Sequence, residues 1–313
     1  MKLNPMIAAA TLALAAPVQA QTAPAAPAAL PAQTPATLLG AIQFDLPSKV
    51  TGRTYRIFVS KPVLPPPPEG YPVVYLSDGN GLFGTAMMQA TLRQFGELRP
   101  AIIVGIGYPV TDIMQTLALR NRDLTPPTPV EKIPAALLGI AGGAAGFGGA
   151  EPFYRFLVDE LRPVLAVAYR TDPKDQTLFG DSLGGLFTLH VLFNHPESFR
   201  TFVAASPSIW WNDRAVLAGE AGLAAKVTAG TVAPRVLITV GGLEQPAAPP
   251  AKPDPSGTGR MVDNARAVAD SLAALHGGAN YMVRFHVFPD ETHASVIPSA
   301  ISRGLGFALA PRK

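Results

Sequence analysis

The chain has 313 residues, 48% of them hydrophobic and only 15% charged, so it can bury a large core and does not have the composition of a disordered chain. Its 25 Lys and Arg against 22 Asp and Glu leave a formal charge of +3 with no basic cluster, which excludes the electrostatic footprint of a nucleic-acid binder. No cysteine is present, which excludes disulfides, thiolate metal sites and a Cys nucleophile.

Residues 1–20 read as a secretory signal peptide: Lys2 is the charged start, Met6–Val18 the apolar stretch, and Val18-Gln19-Ala20 the small-x-small cleavage site. Export to the periplasm or out of the cell is expected, with no membrane span left after cleavage. Residues 21–38 are low-complexity Ala and Pro and are expected to form a flexible leader. The folded domain is expected over 39–313.

Strand and helix patterns then alternate. Ile42–Leu46 and Thr54–Val59 read as strands, the second with period-two alternation, and Val73–Leu76 as a short apolar strand. A helix is expected over 83–96, and Ala101–Ile106 is a fully apolar strand of the kind covered on both faces. Residues 109–150 read as a long Pro- and Gly-rich connection; the uncharged part, Pro134–Ala150, reads as a lid or loop because its six Gly make it a poor membrane segment. Pro152–Ala168 has helical spacing, with Phe153, Phe156, Leu157, Leu161 and Leu165 on one side. Thr177–Phe179 ends a strand, Ser182–Asn194 is a helix, and Thr201–Ala205 and Arg235–Val240 are strands. Met261–His276 is helical, Tyr281–Phe288 a strand, and Ile297–Leu309 a last helix. Repeated strand–helix units predict an α/β fold with a mostly parallel sheet.

The chemistry is carried by Gly180-Asp181-Ser182-Leu183-Gly184, a G-x-S-x-G between an apolar strand and an apolar helix. That is the setting of a nucleophile elbow, which presents a serine at the carboxyl end of a strand. The serine needs a base, and in this fold the acid and then the His follow it in the chain. Of five His, His190 and His195 lie on or just past the helix after the elbow, His276 ends a helix and His286 sits inside a strand. His293 follows the last strand in a loop and is the candidate base. Glu244, after the strand RVLITV, is the candidate acid, with Asp254 further along the same loop as the weaker one; Asp290 and Glu291 are too close in sequence to His293 to orient it. An oxyanion needs two N–H donors, expected from Leu183 and from the Gly79–Asn80 turn. Residues 79–84 also spell G-x-G-x-x-G, but the next strand ends without the acidic residue that a dinucleotide site uses.

With these residues in place the chain resembles the esterase family of α/β-hydrolases that includes enterochelin and salmochelin esterases, feruloyl esterases, S-formylglutathione hydrolase and mycolyltransferases. The carrying segments are VYLSDGN (74–80), IIVGIGY (102–108), RNRDLTP (120–126), FLVDELRP (156–163), GDSLGGL (180–186), ASPSIWW (205–211), VGGLEQ (240–245) and ETHASV (291–296), spread over roughly residues 40–310. RDLTP and SPSIWW look most like the periplasmic siderophore-esterase branch. The resemblance implies an α/β-hydrolase fold with helices on both faces of the sheet, Ser182 as nucleophile and His293 as base. It further implies that Arg120, Arg122, Trp210 and Trp211 lie near the mouth of the site. The expected activity is cleavage of a small-molecule carboxylic ester through an acyl-enzyme, with no cofactor or metal; acyl transfer to an alcohol or sugar is the alternative on the same fold. Only one ring of the Trp pair is expected to be buried. The arginines are expected either to attract an anionic substrate or to pair with Asp123.

Overall fold

The computed structural model describes residues 36–246 and 258–311. Its strands are β1 (Ala41–Pro47), β2 (Thr54–Ser60), β3 (Tyr71–Leu76), β4 (Ile102–Gly107), β5 (Thr171–Asp181), β6 (Thr201–Ala205), β7 (Arg235–Gly241) and β8 (Met282–Phe288). They form one sheet in the order β1-β2-β4-β3-β5-β6-β7-β8. β2 pairs antiparallel with β1 and with β4, and every other neighbour is parallel. The strand order reverses between β3 and β5, and open α/β sheets bind ligands beyond the strands' carboxyl ends at such a point.

The helices are α1 (Gly79–Arg93), α2 (Ile113–Leu124), α3 (Ala135–Ile140), α4 (Ala150–Arg155), α5 (Arg162–Ala168), α6 (Leu183–Asn194), α7 (Glu220–Thr228), α8 (Met261–Ala273) and α9 (Ile297–Leu309). Both faces of the central strands are buried, which is why β3 and β4 read as continuous apolar runs. Val73 and Tyr75 point to one face, where α6 and α8 pack. Val74 and Leu76 point to the other, where α1 and α9 pack. The mostly parallel sheet with helices on both faces is the α/β architecture expected from the alternating pattern.

Three segments differ from their sequence patterns. The supposed connection 109–150 contains α2, capped by Asp112, whose carboxylate accepts from the N–H groups of Met114 (2.7 Å) and Gln115 (3.0 Å). It lacks an apolar stripe because its buried positions are Asn121, Asp123 and Leu124. The helix expected over Pro152–Ala168 starts at Ala150 and widens to a π turn over Phe156–Leu161. Pro163 follows that turn; it has no N–H for a carbonyl one turn back, and the chain is accommodated by longer bonds such as Arg162 N–H to Leu157 O. The turn keeps Phe153 and Phe156 buried, with Phe156 stacked on Tyr55 of β2 at 4.2 Å. Finally, α7 and a 3₁₀ stretch over Trp211–Gly219 occupy a region that carried no pattern. The described domain lies within a compact unit, Leu38–Lys313. The signal peptide and nearly all of the Ala/Pro leader fall on residues outside the described ones.

Candidate active site

Ser182 follows β5 directly and begins α6 with φ 60° and ψ −116°, a conformation that non-glycine residues rarely adopt. The flanking glycines are what permit it. A Cβ on Gly180 would run into the Gly184 carbonyl, and one on Gly184 into Ser77 Oγ at the end of β3. The turn is tied to β6: Ser182 N–H donates to Ala205 O (3.0 Å), and Ser208 N–H donates to Ser182 O (3.1 Å).

β7 and β8 bring the other two groups to the same edge of the sheet. His293 Nε2 lies 3.0 Å from Ser182 Oγ, and His293 Nδ1 lies 2.6 Å from Glu244 Oε2. Glu244 is 1% exposed and His293 48%, so the acid is walled in while the imidazole faces the opening. The other Glu244 oxygen, Oε1, accepts from Ser206 Oγ–H and from Gly241 N–H, both at 2.6 Å. These donors fix the carboxylate and leave Oε2 for the imidazole. The hydrogen bond that Glu244 accepts raises the His293 pKa above its ordinary value against the opposing effect of burial. With Nδ1–H directed at Glu244, Nε2 carries the lone pair that faces the Ser182 hydroxyl.

A cleft of about 530 Å³ opens beside Ser182. Leu82, Val110, Ile113, Leu117 and Ile297 give it an apolar wall, so α2, from the supposed connection, forms part of that wall. Its volume is in the range of small-molecule sites. Asn80 lines it, with a side chain locked to the Tyr108 backbone at both ends (Oδ1 2.7 Å, Nδ2 3.0 Å). Gly79 packs against Gly105 of β4. Gly79 and Asn80 open α1 and Leu183 opens α6, where backbone N–H groups have no acceptor within the helix.

The substrate-binding set expected near the mouth of the site is only partly there. Arg120 lines the cleft, but Asp78 grips it with two hydrogen bonds (2.6 and 2.8 Å). Asp78 itself sits at φ 57° where β3 meets α1. Arg122 is exposed and does not line the cleft. Neither arginine takes Asp123, which is held by Arg53 Nη1 (2.8 Å) and by Tyr108 O–H (3.1 Å). Trp211 is buried and Trp210 half-buried; Trp211 donates to Thr128 Oγ1 (2.8 Å) and stacks on Phe147, and neither ring lines the cleft. The weaker acid candidate, Asp254, lies outside the described residues.

Four site residues carried no assignment from sequence: Asp78, Asp181, Ser206 and Ser208. Ser206 has φ 40° and Ser208 Oγ lies 3.5 Å from Ser182 Oγ. A signal was present in the S-P-S of ASPSIWW, which follows β6 as G-x-S-x-G follows β5. Asp181 lines the cleft although only 7% exposed, and its Oδ1 has no hydrogen-bond partner. Burial, with a smaller push from Asp78 and Glu244 and against His293 and Arg120, raises its pKa to about 7. An unfolded Asp titrates near 3.9. The folded chain therefore holds a proton that the unfolded chain has lost, and stability declines as pH rises from about 4 through about 7. His293, also raised, acts in the same direction. Asp181→Asn should flatten this slope, with a gain on the order of 2–4 kcal/mol at pH 8 and little at pH 4, read as the melting temperature across pH. Equal slopes in the two proteins would show that Asp181 is ionised at an ordinary pKa.

Comparison with known proteins gives a consistent picture. A family model described as "Putative esterase" matches residues 131–284. The ferri-bacillibactin esterase BesA of Bacillus subtilis is 40% identical over 268 residues, covering 84% of this chain and 88% of that protein. A siderophore triacetylfusarinine C esterase of Aspergillus fumigatus is 33% identical over 250 residues, 75% of this chain and 80% of its own. Among solved structures, the BES protein of Bacillus cereus superposes with a TM-score of 0.76 at 32% identity, over 89% of this chain and 99% of that one. By sequence over most of its length and by fold, this chain belongs to the esterase family of α/β-hydrolases and is a serine ester hydrolase.

Proposed function

We propose that this protein is an exported siderophore esterase that works through an acyl-enzyme. The observation carrying the chemistry is the continuous hydrogen-bonded line from Ser182 Oγ through His293 to Glu244. His293 Nε2 takes the Ser182 proton as Oγ attacks the ester carbonyl. The carbonyl oxygen, now negative, is met by backbone N–H groups of Leu183 and of the Gly79–Asn80 turn. His293 returns the proton to the departing alkoxide, leaving an acyl group on Ser182. A water then gives its proton to the same nitrogen, its oxygen attacks the acyl carbon, and the acid leaves with Oγ–H restored.

The substrate class is supported by the 40% identity to a ferri-bacillibactin esterase. The test compares kcat/KM for a cyclic tris-catecholate trilactone and for p-nitrophenyl butyrate, with products identified in the presence and absence of added alcohol. The trilactone is expected to win by at least about tenfold, the margin one well-formed pocket contact supplies. Turnover of the simple ester alone would end the siderophore reading and leave the esterase. Export is read from the protein recovered from the periplasm or medium, which is expected to begin near Gln21. A cytosolic protein that keeps its first residues would refute export.

A further inference from the structure

A second cleft, of about 690 Å³, lies between the edge strand β8 and α9 and shares no lining residue with the cleft at Ser182. Arg93, Arg284, Arg303 and His286 line it, together with the hydroxyl residues Ser299 and Ser302. No carboxylate lines it. Its remaining wall is apolar, from Leu237, Phe288 and Phe307 among others.

The three arginines are not equivalent. Arg93 is fixed: its Nε donates to Glu97 Oε2 (2.9 Å), and its Nη1 to the carbonyl and hydroxyl of Ser302 (3.0 and 3.2 Å). It joins α1 to α9. Arg284 and Arg303 form no ion pair with a described residue. Arg303 Nη2 meets a ring nitrogen, His286 Nε2, at 3.5 Å. Of the three, only Arg93 has an ion-paired carboxylate, Glu97, and the charges of Arg284 and Arg303 are unpaired among the described residues. Burial and then Arg303 push the His286 pKa down. Behind Phe307 stands Arg235, its guanidinium 4.9 Å from the ring centroid, and Arg284 is among the cations that crowd it.

Guanidinium forks match the oxygens of phosphate in pairs, and hydroxyls supply further donors. A cleft this large also exceeds what one inorganic ion fills, and its phenylalanines offer a surface to an organic body. We propose that this cleft is a binding site for a small organic phosphate, with the phosphate held by Arg284 and Arg303 beside the fixed Arg93 and the organic part lying on Phe288 and Phe307.

The test uses the folded protein at low salt, with phenyl phosphate as probe and phenol as its uncharged control. Calorimetry gives the affinity, and the His286 ring resonances report where the probe sits. Saturable binding of phenyl phosphate, none of phenol, and a His286 shift are expected. Arg284→Gln and Arg303→Gln should each weaken binding about tenfold or more, the usual cost of losing a charged hydrogen-bonded pair. Both variants should keep the melting temperature and the hydrolysis of p-nitrophenyl butyrate, because neither arginine makes an ion pair that holds the fold or lines the Ser182 cleft. Sedimentation with phosphatidic acid vesicles distinguishes the source: capture by vesicles, lost in the same variants, assigns the phosphate to a lipid headgroup, and binding of phenyl phosphate alone assigns it to a soluble ester. Absence of saturable binding in both arms, or binding unchanged by both substitutions, overturns the proposal.

Discussion

Replacing Ser182 by Ala should lower kcat for p-nitrophenyl butyrate by about five to six orders of magnitude, the loss seen when a serine nucleophile is removed. The fold should survive. Ala at φ 60° is no more strained than Ser, and the Ser182 backbone bonds to Ala205 and Ser208 do not involve the hydroxyl. Ser208, with its Oγ 3.5 Å from Ser182 Oγ, is a hydroxyl near enough to invite substitution. It makes no hydrogen bond to His293 and so has no base to activate it, and no rescue is expected. A variant within tenfold of wild type, after contaminating esterases are excluded by active-site labelling, would move the nucleophile elsewhere.

The second large effect comes from Glu244, and here the conservative change should spare no more activity than the drastic one. Ser206 and Gly241 both donate to Oε1, so that position accepts only an oxygen. In Glu244→Gln the amide must put its carbonyl there and turn its NH2 toward His293 Nδ1. Nδ1 then becomes an acceptor and Nε2 carries the hydrogen, so the ring presents an N–H to Ser182 and cannot take its proton. A wrong tautomer costs about 10⁴ in kcat in a comparable triad. Glu244→Ala leaves the ring free to choose its tautomer but removes the acid altogether, which costs about 3 × 10⁴ in a comparable triad, so the two variants should fall to a similar level. It also removes the main cause of the raised His293 pKa. Because the base works only when neutral, activity falls as pH drops through that pKa. The acid limb of kcat/KM should therefore lie above about 6.5 in wild type and move to lower pH in Glu244→Ala. A Gln variant more active than the Ala variant would mean that Glu244 is not held through Oε1 in solution.

The residues that meet at the site were legible where the chain announces them locally. Ser182 sits in a motif that has a strand before it and a helix after it, and the fold's chain order then points to the loops after β7 and β8, where Glu244 and His293 lie. The strands were legible for a related reason: burial on both faces leaves runs such as IIVGIG that few other environments produce. What sequence could not give depends on partners far apart in the chain. Arg120 looks like a free cation until Asp78, 42 residues earlier, is seen to hold it. Asp123 looks like the natural partner of its neighbour Arg122, yet it turns inward to Arg53, 70 residues away. Helix α2 escaped because its buried positions include Asn121 and Asp123, polar residues that write no apolar stripe.

The placement of Glu244 has a consequence for how this scaffold can change. The carboxylate is positioned by Gly241, the last residue of β7, and by Ser206, the residue after β6, so both of its donors come from the carboxyl edge of the sheet. The packing that holds those two strands therefore also holds the proton-transfer geometry, so residues that line the cleft from α2 can be exchanged to admit a different ester without disturbing it.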